Sequence, residues 1–291
     1  MSSQTPAASS LERDFADFDR PMSALAKTVE GAVNSLPDAA GGAFLSGLLA
    51  TTKGSYSAVC ALNADKAKER FATDSYVVVR GMLESYFSLL LWRQNPKDNG
   101  TWFWKSSWLD ADAELKLDEE LERYDPGLRE RIEARKVGRG ILVRMAGLTQ
   151  AELSGDKRIE AWPVTPGKMI RQVSRWASET ERGQAQRLYD LLYPSLSRLA
   201  HPSFTATAMR WTYAEGKKKN PTVWLRAVRM MEVNAVYYAW VVVTMTLTEL
   251  VLHLNVGQMT QLKSLWNWLA DFRPQTRAYY EARFAAILGA L

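Results

Sequence analysis

The chain predicts an all-α fold, a multi-helix bundle with long buried central helices and no sheet. Three observations predict it. Apolar residues recur at spacings of three and four along most of the 291 residues, the period of a helix that buries one face. Two stretches, Tyr76–Trp92 and Val233–Leu254, are apolar nearly all round, as in helices enclosed by neighbours. No segment alternates apolar and polar residues between turn signals. Val241-Val242-Val243 is β-branched but lies in an apolar run too long for a strand.

Taken in order, residues 1–15 read as a disordered, small and polar tail, and 16–291 as one helical domain. Pro21 to Val33 forms an amphipathic helix ended by Pro37, Asp38 and Gly41-Gly42. A second helix spans about 43–64 and a third about 66–94, stopped by Asn95-Pro96, with Asn99-Gly100 in the loop beyond. Trp102, Phe103, Trp104 and Trp108 read as a loop anchored by large rings, or as a platform for stacking bases. A charged helix follows over 107–123. A basic run from Arg129 to Arg144 is read as a solvated helix face or as a phosphate-contacting surface. Breakers make 147–168 a loop-rich insertion, after which Thr165 caps a helix with Pro166 at its first position. A helix over about 184–200, a long one from Pro221 to about Leu254, and two short amphipathic helices complete the chain.

The composition, 47% hydrophobic and 24% charged with a net charge of +5, is that of a globular protein with a mild preference for anionic partners. The single cysteine, Cys60, excludes an intramolecular disulfide and fits a reducing, cytoplasmic setting, as a buried inert thiol. The N-terminus lacks the basic and apolar regions of a signal peptide. Val233–Leu254 has nearly the length of a membrane span, but Asn234, Thr244, Thr246, Thr248 and Glu249 make it a core helix, and no membrane span is expected. There is no glycine-rich phosphate loop, G-x-S-x-G elbow or Glu-x-x-His pair, and one cysteine with two histidines does not make a usual zinc site. No metal and no cofactor are expected.

Two places set ionisable groups against the burial pattern. Arg80 and Glu84, four apart, share a face of the third helix, and Ser88 continues the stripe. Left unpaired inside so apolar a helix, either charge would cost several kcal/mol. They therefore form a register-fixing pair or line a polar pocket. The second place is the stretch Leu188–Ser203. His201 precedes Pro202, which pushes it out of the α region, so a helix ends there. At that terminus the imidazole, flanked by Ser197, Arg198 and Ser203, serves as a general acid or base, or caps carbonyls. Tyr189, Tyr193 and Ser197 form a hydroxyl stripe expected to face Arg80 and Glu84. His253 is paired with Glu249, four residues before it.

The pattern Arg80-x3-Glu84, then Tyr189-x3-Tyr193-x2-Leu196-Ser197-x3-His201-Pro202-Ser203, resembles a group of bacterial all-helical proteins of unknown function, distantly related to the HEPN (higher eukaryotes and prokaryotes nucleotide-binding) superfamily. The resemblance covers about Ala64 to Leu254. It implies a helical bundle, often a homodimer, that binds RNA or a nucleotide in ribonuclease, prophage or antiviral defence contexts. It would make His201, Arg198, Arg80 and Glu84 the catalytic candidates, with Tyr189, Tyr193, Ser197 and Ser203 in binding roles. HEPN ribonucleases place four to six residues between arginine and histidine. Here two separate Arg198 from His201, which marks a divergent site or a scaffold without catalysis. The alternative from the residues alone is a non-enzymatic helical interaction or small-ligand-binding protein whose polar cluster is structural.

Overall fold

The computed structural model describes residues 8–37, 41–64, 72–160, 162, 165–173, 177–200, 207 and 214–291. Among them there are helices and turns and no strand, so the fold is all-α. The helices of the described residues include α1 (Ala8–Asn34), α2 (Gly42–Ala64), α3 (Ala72–Gln94), α4 (Pro96–Leu121), α5 (Arg129–Met145), α6 (Gln150–Leu153), α7 (Pro166–Val173), α8 (Glu179–Ala200), α9 (Pro221–Leu254), α10 (Met259–Phe272), α11 (Thr276–Arg283) and α12 (Ala285–Leu288).

The two stretches that are apolar on every side become the two central helices. α3 packs along α9, and the other helices of the body surround this pair: α1 and α2 on one flank, α7 and α8 on the other, with α10 against α9 and α11 against α8. From Tyr86 to Trp92 on α3, Ser88 alone is not buried, and every side chain from Ala239 to Val251 on α9 is buried. Each large apolar side chain enclosed in this way contributes about 1.5–3 kcal/mol. Two of the threonines inside α9 are satisfied within the helix, Thr246 and Thr248 donating to the carbonyls of Val242 (2.9 Å) and Thr244 (2.6 Å), whereas the buried Thr244 hydroxyl has no hydrogen-bond partner among the described residues. Trp266 Nε1 in turn donates to Thr248 Oγ1 at 3.1 Å. α9 is long and apolar enough to cross a membrane, and 89% of its most apolar window is covered by the rest of the protein.

Several element boundaries differ from those expected of the sequence. α1 begins at Ala8, inside the stretch read as a disordered tail, and carries Pro21 within it. A proline inside a helix costs about 3 kcal/mol. Here Phe18, Met22, Leu25, Ala26, Val29 and Val33 bury one continuous face across it, and that burial outweighs the cost. The aromatic patch is not a loop. Asn95 ends α3 and also caps α4, its side chain accepting from the Asp98 amide, with Pro96 in the first turn. Trp102, Phe103, Trp104 and Trp108 therefore lie on α4. Asn99, read as part of a loop, is fully buried and donates to the Leu91 carbonyl at 2.5 Å, which fixes the α3–α4 corner. The insertion at 147–168 contains α6, whose Thr149 and Glu152 form a reciprocal capping box. Thr165 Oγ1 accepts from the Lys168 amide at 3.4 Å at the start of α7.

α4 and α5 form an antiparallel hairpin joined by a short turn through Pro126–Leu128. Its seam is ionic. Arg131 and Arg135 both reach Asp118 at 2.8 Å, Arg139 bonds Asp112, and Arg129 meets Glu122 at 3.1 Å. Hydrogen bonds from Arg131 hold the Asp118 carboxyl below the usual carboxylate range. The basic run is thus engaged along much of its length by the acidic face of its own neighbour.

On the opposite flank of the core, Trp240 Nε1 donates to Tyr56 Oη at 3.1 Å and Tyr56 donates to Asp19. Burial, with Asp19 adding to it, pushes the half-buried Cys60 thiol up to about 11. It stays protonated and unreactive near neutral pH, as expected of an inert thiol.

Candidate functional site

Arg80 and Glu84 sit one turn apart on α3, and their side chains close on each other, Arg80 Nε to Glu84 Oε1 at 2.8 Å. They are not sealed in the core, keeping 20% and 34% of their side-chain surface exposed. The face they occupy is the one α3 turns toward α8. Leu188, Leu192 and Leu196, four residues apart and fully buried, seat α8 and leave Tyr189 and Tyr193 half-buried beside that face. The Arg80 guanidinium lies over the Tyr193 ring at 5.5 Å from its centre. Tyr193 stacks on Tyr189, centroids 4.8 Å apart and planes 15° from parallel. Tyr189 also leans on Phe87 of α3 at 5.9 Å. Of the expected contacts between the tyrosine stripe and the Arg80–Glu84 pair, the one seen is that of the Tyr193 ring with Arg80.

α7 supplies the third wall. Gly167 comes close enough to Tyr189 Oη that an added Cβ would stand 3.7 Å from it and 3.9 Å from an Arg171 guanidinium nitrogen. Burial and the neighbouring Tyr193 and Asp190 raise the Tyr189 pKa, while Arg171 and Arg80 act in the opposite direction. Ser88 continues the α3 stripe, donating to the Glu84 carbonyl at 3.0 Å and approaching the Met169 sulfur at 3.6 Å. Beside it, Ser85 and Ser88 border a groove of about 260 Å³ whose other wall is α2, with Phe44 and Phe103 among its apolar lining. Two cations, one carboxylate and two stacked phenols at a half-open face can hold a planar group by stacking and an anion by charge.

Farther along α8, Pro194 lies inside the helix directly after Tyr193. Ser197 is half-buried, and Arg198 is exposed in the last turn. His201 and Ser203 lie outside the described residues. Among the described residues no group of three His, Cys, Asp or Glu side chains is placed to hold a metal ion.

A second polar cluster was not expected from the sequence. Glu249, fully buried on α9, accepts from Arg283 Nε of α11 at 2.7 Å, from Arg93 of α3, and from Tyr86 Oη of α3 at 3.3 Å. Arg283 also donates to Gln184 Oε1 of α8 at 2.9 Å and stands 3.7 Å from Glu181. His253 is not the partner of Glu249. Its ring meets Trp92 edge-on at 5.0 Å, and burial, followed by Arg93, lowers its pKa. A four-residue spacing invites an i,i+4 pair, but the buried carboxylate requires charged donors, and two guanidiniums reach it from other helices. A signal did exist. Glu249 is the sole charge in a long apolar run, and Arg283 sits between Tyr280 and Phe284, so both ask for a partner across the core.

Comparison with protein-family models, with curated proteins and with solved structures finds no match to this chain.

Proposed function

We propose that this is a helical-bundle protein of the HEPN-like type that binds RNA or a nucleotide at the α3–α7–α8 face. One observation carries the reading, the placement of the Arg80 guanidinium over Tyr193, itself stacked on Tyr189, at a half-open surface. Stacked rings beside guanidinium groups suit a base and its phosphate, and such stacking contributes about 1–3 kcal/mol per base. The Arg80–Glu84 pair is a reversible gate on this cation, since an incoming phosphate competes with the carboxylate for the same donors. In the cleaving form of this reading, His201 takes the proton of a ribose 2′-hydroxyl and the 2′-oxygen attacks phosphorus. Arg198 or Arg80 then stabilises the phosphorane, the bond from phosphorus to the 5′-oxygen breaks, and that oxygen leaves with the proton that His201 took from the 2′-hydroxyl. The test is anisotropy titration of labelled single-stranded RNA and of nucleotides, together with a cleavage assay. Binding that weakens about tenfold or more in Tyr193→Ala and Arg80→Gln supports the reading. Equal affinity in the variants, or no binding, overturns it. RNA left intact by the native chain and by His201→Ala alike removes the cleaving form.

A second reading is a non-enzymatic interaction protein whose polar cluster is structural. Two features favour it: the Arg80–Glu84 pair is closed on itself, and the carboxylates of α4 engage Arg131, Arg135 and Arg139 of α5. It expects Arg80→Ala and Glu84→Ala to lower the melting temperature with no substrate turned over.

A further inference from the structure

α2 packs along α3, yet between them, where α4 joins, a groove of about 260 Å³ stays open. Gly47 lines it on the α2 side. It is exposed, and a Cβ there would meet nothing within 4 Å. A glycine inside a helix costs about 0.5–1 kcal/mol relative to alanine, and here no neighbouring helix needs the missing side chain. What the glycine provides is room for another molecule to approach the α2 backbone.

The aromatic end of the groove is held rigidly. Phe44 stacks on Trp92, centroids 5.5 Å apart and planes 23° from parallel. Phe103 meets Phe44 at 4.9 Å with its plane turned by 77°. Trp162 braces both rings from 6.0 and 6.2 Å, and its own amide donates to Ser106 Oγ of α4 at 2.5 Å. Two rings fixed nearly at right angles make a corner in which a third ring stacks on one and meets the edge of the other.

The polar groups of the groove define what it takes. On the α3 wall, Ser85 donates to the Gly81 carbonyl at 3.1 Å and Ser88 to the Glu84 carbonyl at 3.0 Å. Their hydrogens are committed, and their oxygens keep lone pairs that accept. Among the described residues no charged side chain lines the groove, so it offers nothing to balance an ion. Size narrows the class further. An apolar cavity of about 150 Å³ takes benzene, so about 260 Å³ suits a fused pair of rings. We infer that this groove binds a small, uncharged, flat two-ring molecule of the indole class, its rings in the Phe44–Phe103 corner and its N–H donated to Ser85 or Ser88. A purine fits the size less well in chemistry, because its ring nitrogens need donors and would face serine lone pairs.

The experiment is titration of the full chain with indole, N-methylindole, indole-3-acetate and adenosine, followed by saturation-transfer NMR and calorimetry. Indole is expected to bind with a dissociation constant of about 1 mM or tighter. N-methylindole, which has no donor, binds about fivefold more weakly, and that difference disappears in the Ser85→Ala/Ser88→Ala chain. Indole-3-acetate and adenosine bind more weakly than indole. Gly47→Leu and Ser85→Leu, which fill the groove from its two walls, each weaken indole binding about tenfold or more. Gly47→Leu also raises the urea midpoint, because leucine is the better helix former, so its loss of binding is not a loss of fold. No saturation transfer to indole at about 5 mM overturns the proposal. So does indole binding that survives both leucine variants, N-methylindole bound as tightly as indole, or a preference for the carboxylate or for adenosine. Tyr193→Ala is expected to leave indole binding unchanged and Gly47→Leu to leave RNA binding unchanged, so this groove and the α3–α8 face fail or stand separately.

Discussion

Glu249 and Arg283, 34 residues apart, meet at 2.7 Å in the middle of the core, the carboxylate fully buried and the guanidinium side chain 2% exposed. Arg93 completes the cage from α3, so α3, α9 and α11 are tied at one point, and Gln184 adds α8. Breaking a buried ion pair from one side leaves an uncompensated charge, at a cost of about 3–5 kcal/mol. Arg283→Met is therefore expected to destabilise the fold by that amount in urea unfolding. Arg283→Met combined with Glu249→Gln should recover part of it. A single variant as stable as the native chain would contradict the cage.

The Arg80–Glu84 pair is different in kind. It is partly exposed and lies within one helix, where such pairs contribute about 0.3–0.5 kcal/mol. Arg80→Gln should shift the urea midpoint very little while changing RNA binding. A large loss of stability without an effect on binding would assign the pair to the scaffold.

Gly41 has φ of +84°, and a Cβ there would stand 2.2 Å from the Trp92 ring. Gly41→Ala combines backbone strain with overpacking, together about 2–4 kcal/mol. Thermal unfolding should show a clear drop in melting temperature, and Gly54→Ala, where nothing lies within 4 Å, should be neutral or slightly stabilising.

Glu152 offers a pH readout. Its hydrogen bond from Lys105, with the Thr149 backbone, lowers its pKa from the ordinary 4.5 to about 2. A carboxyl whose folded pKa is depressed adds stability above its unfolded value and loses it as the pH falls through the folded one. The native chain should lose this contribution between about pH 4.5 and pH 2. Glu152→Gln should lack that step in acid titrations followed by circular dichroism.

Periodicity and local capping chemistry read the helices well. Tyr76 to Trp92 and Val233 to Leu254 could be recognised as inner helices because nearly every side of them is apolar. What escaped was set by tertiary packing. α1 runs through Pro21 because its buried face is continuous on both sides of the proline. The aromatic patch on α4 was misplaced because Asn99-Gly100 has turn chemistry, whereas Asn99 is consumed by a buried bond to Leu91. The α3–α8 site was partly legible, since Arg80, Glu84, Tyr189 and Tyr193 break an apolar pattern on two helices that touch. Arg171 and Gly167 were not, because a short helix placed by long-range contacts brings them there. Glu249 was given the nearest basic residue in sequence, and its partners came from two other helices.

The corner at Asn95 has a mechanical meaning. α3 and α4 share that single residue, and Asn99 pins the first turn of α4 back onto Leu91. The hairpin is therefore a rigid bracket welded to the helix that carries Arg80 and Glu84. A displacement of its tip, near Tyr124, has only the one residue between α3 and α4, Asn95, through which to turn without breaking the Asn99–Leu91 bond.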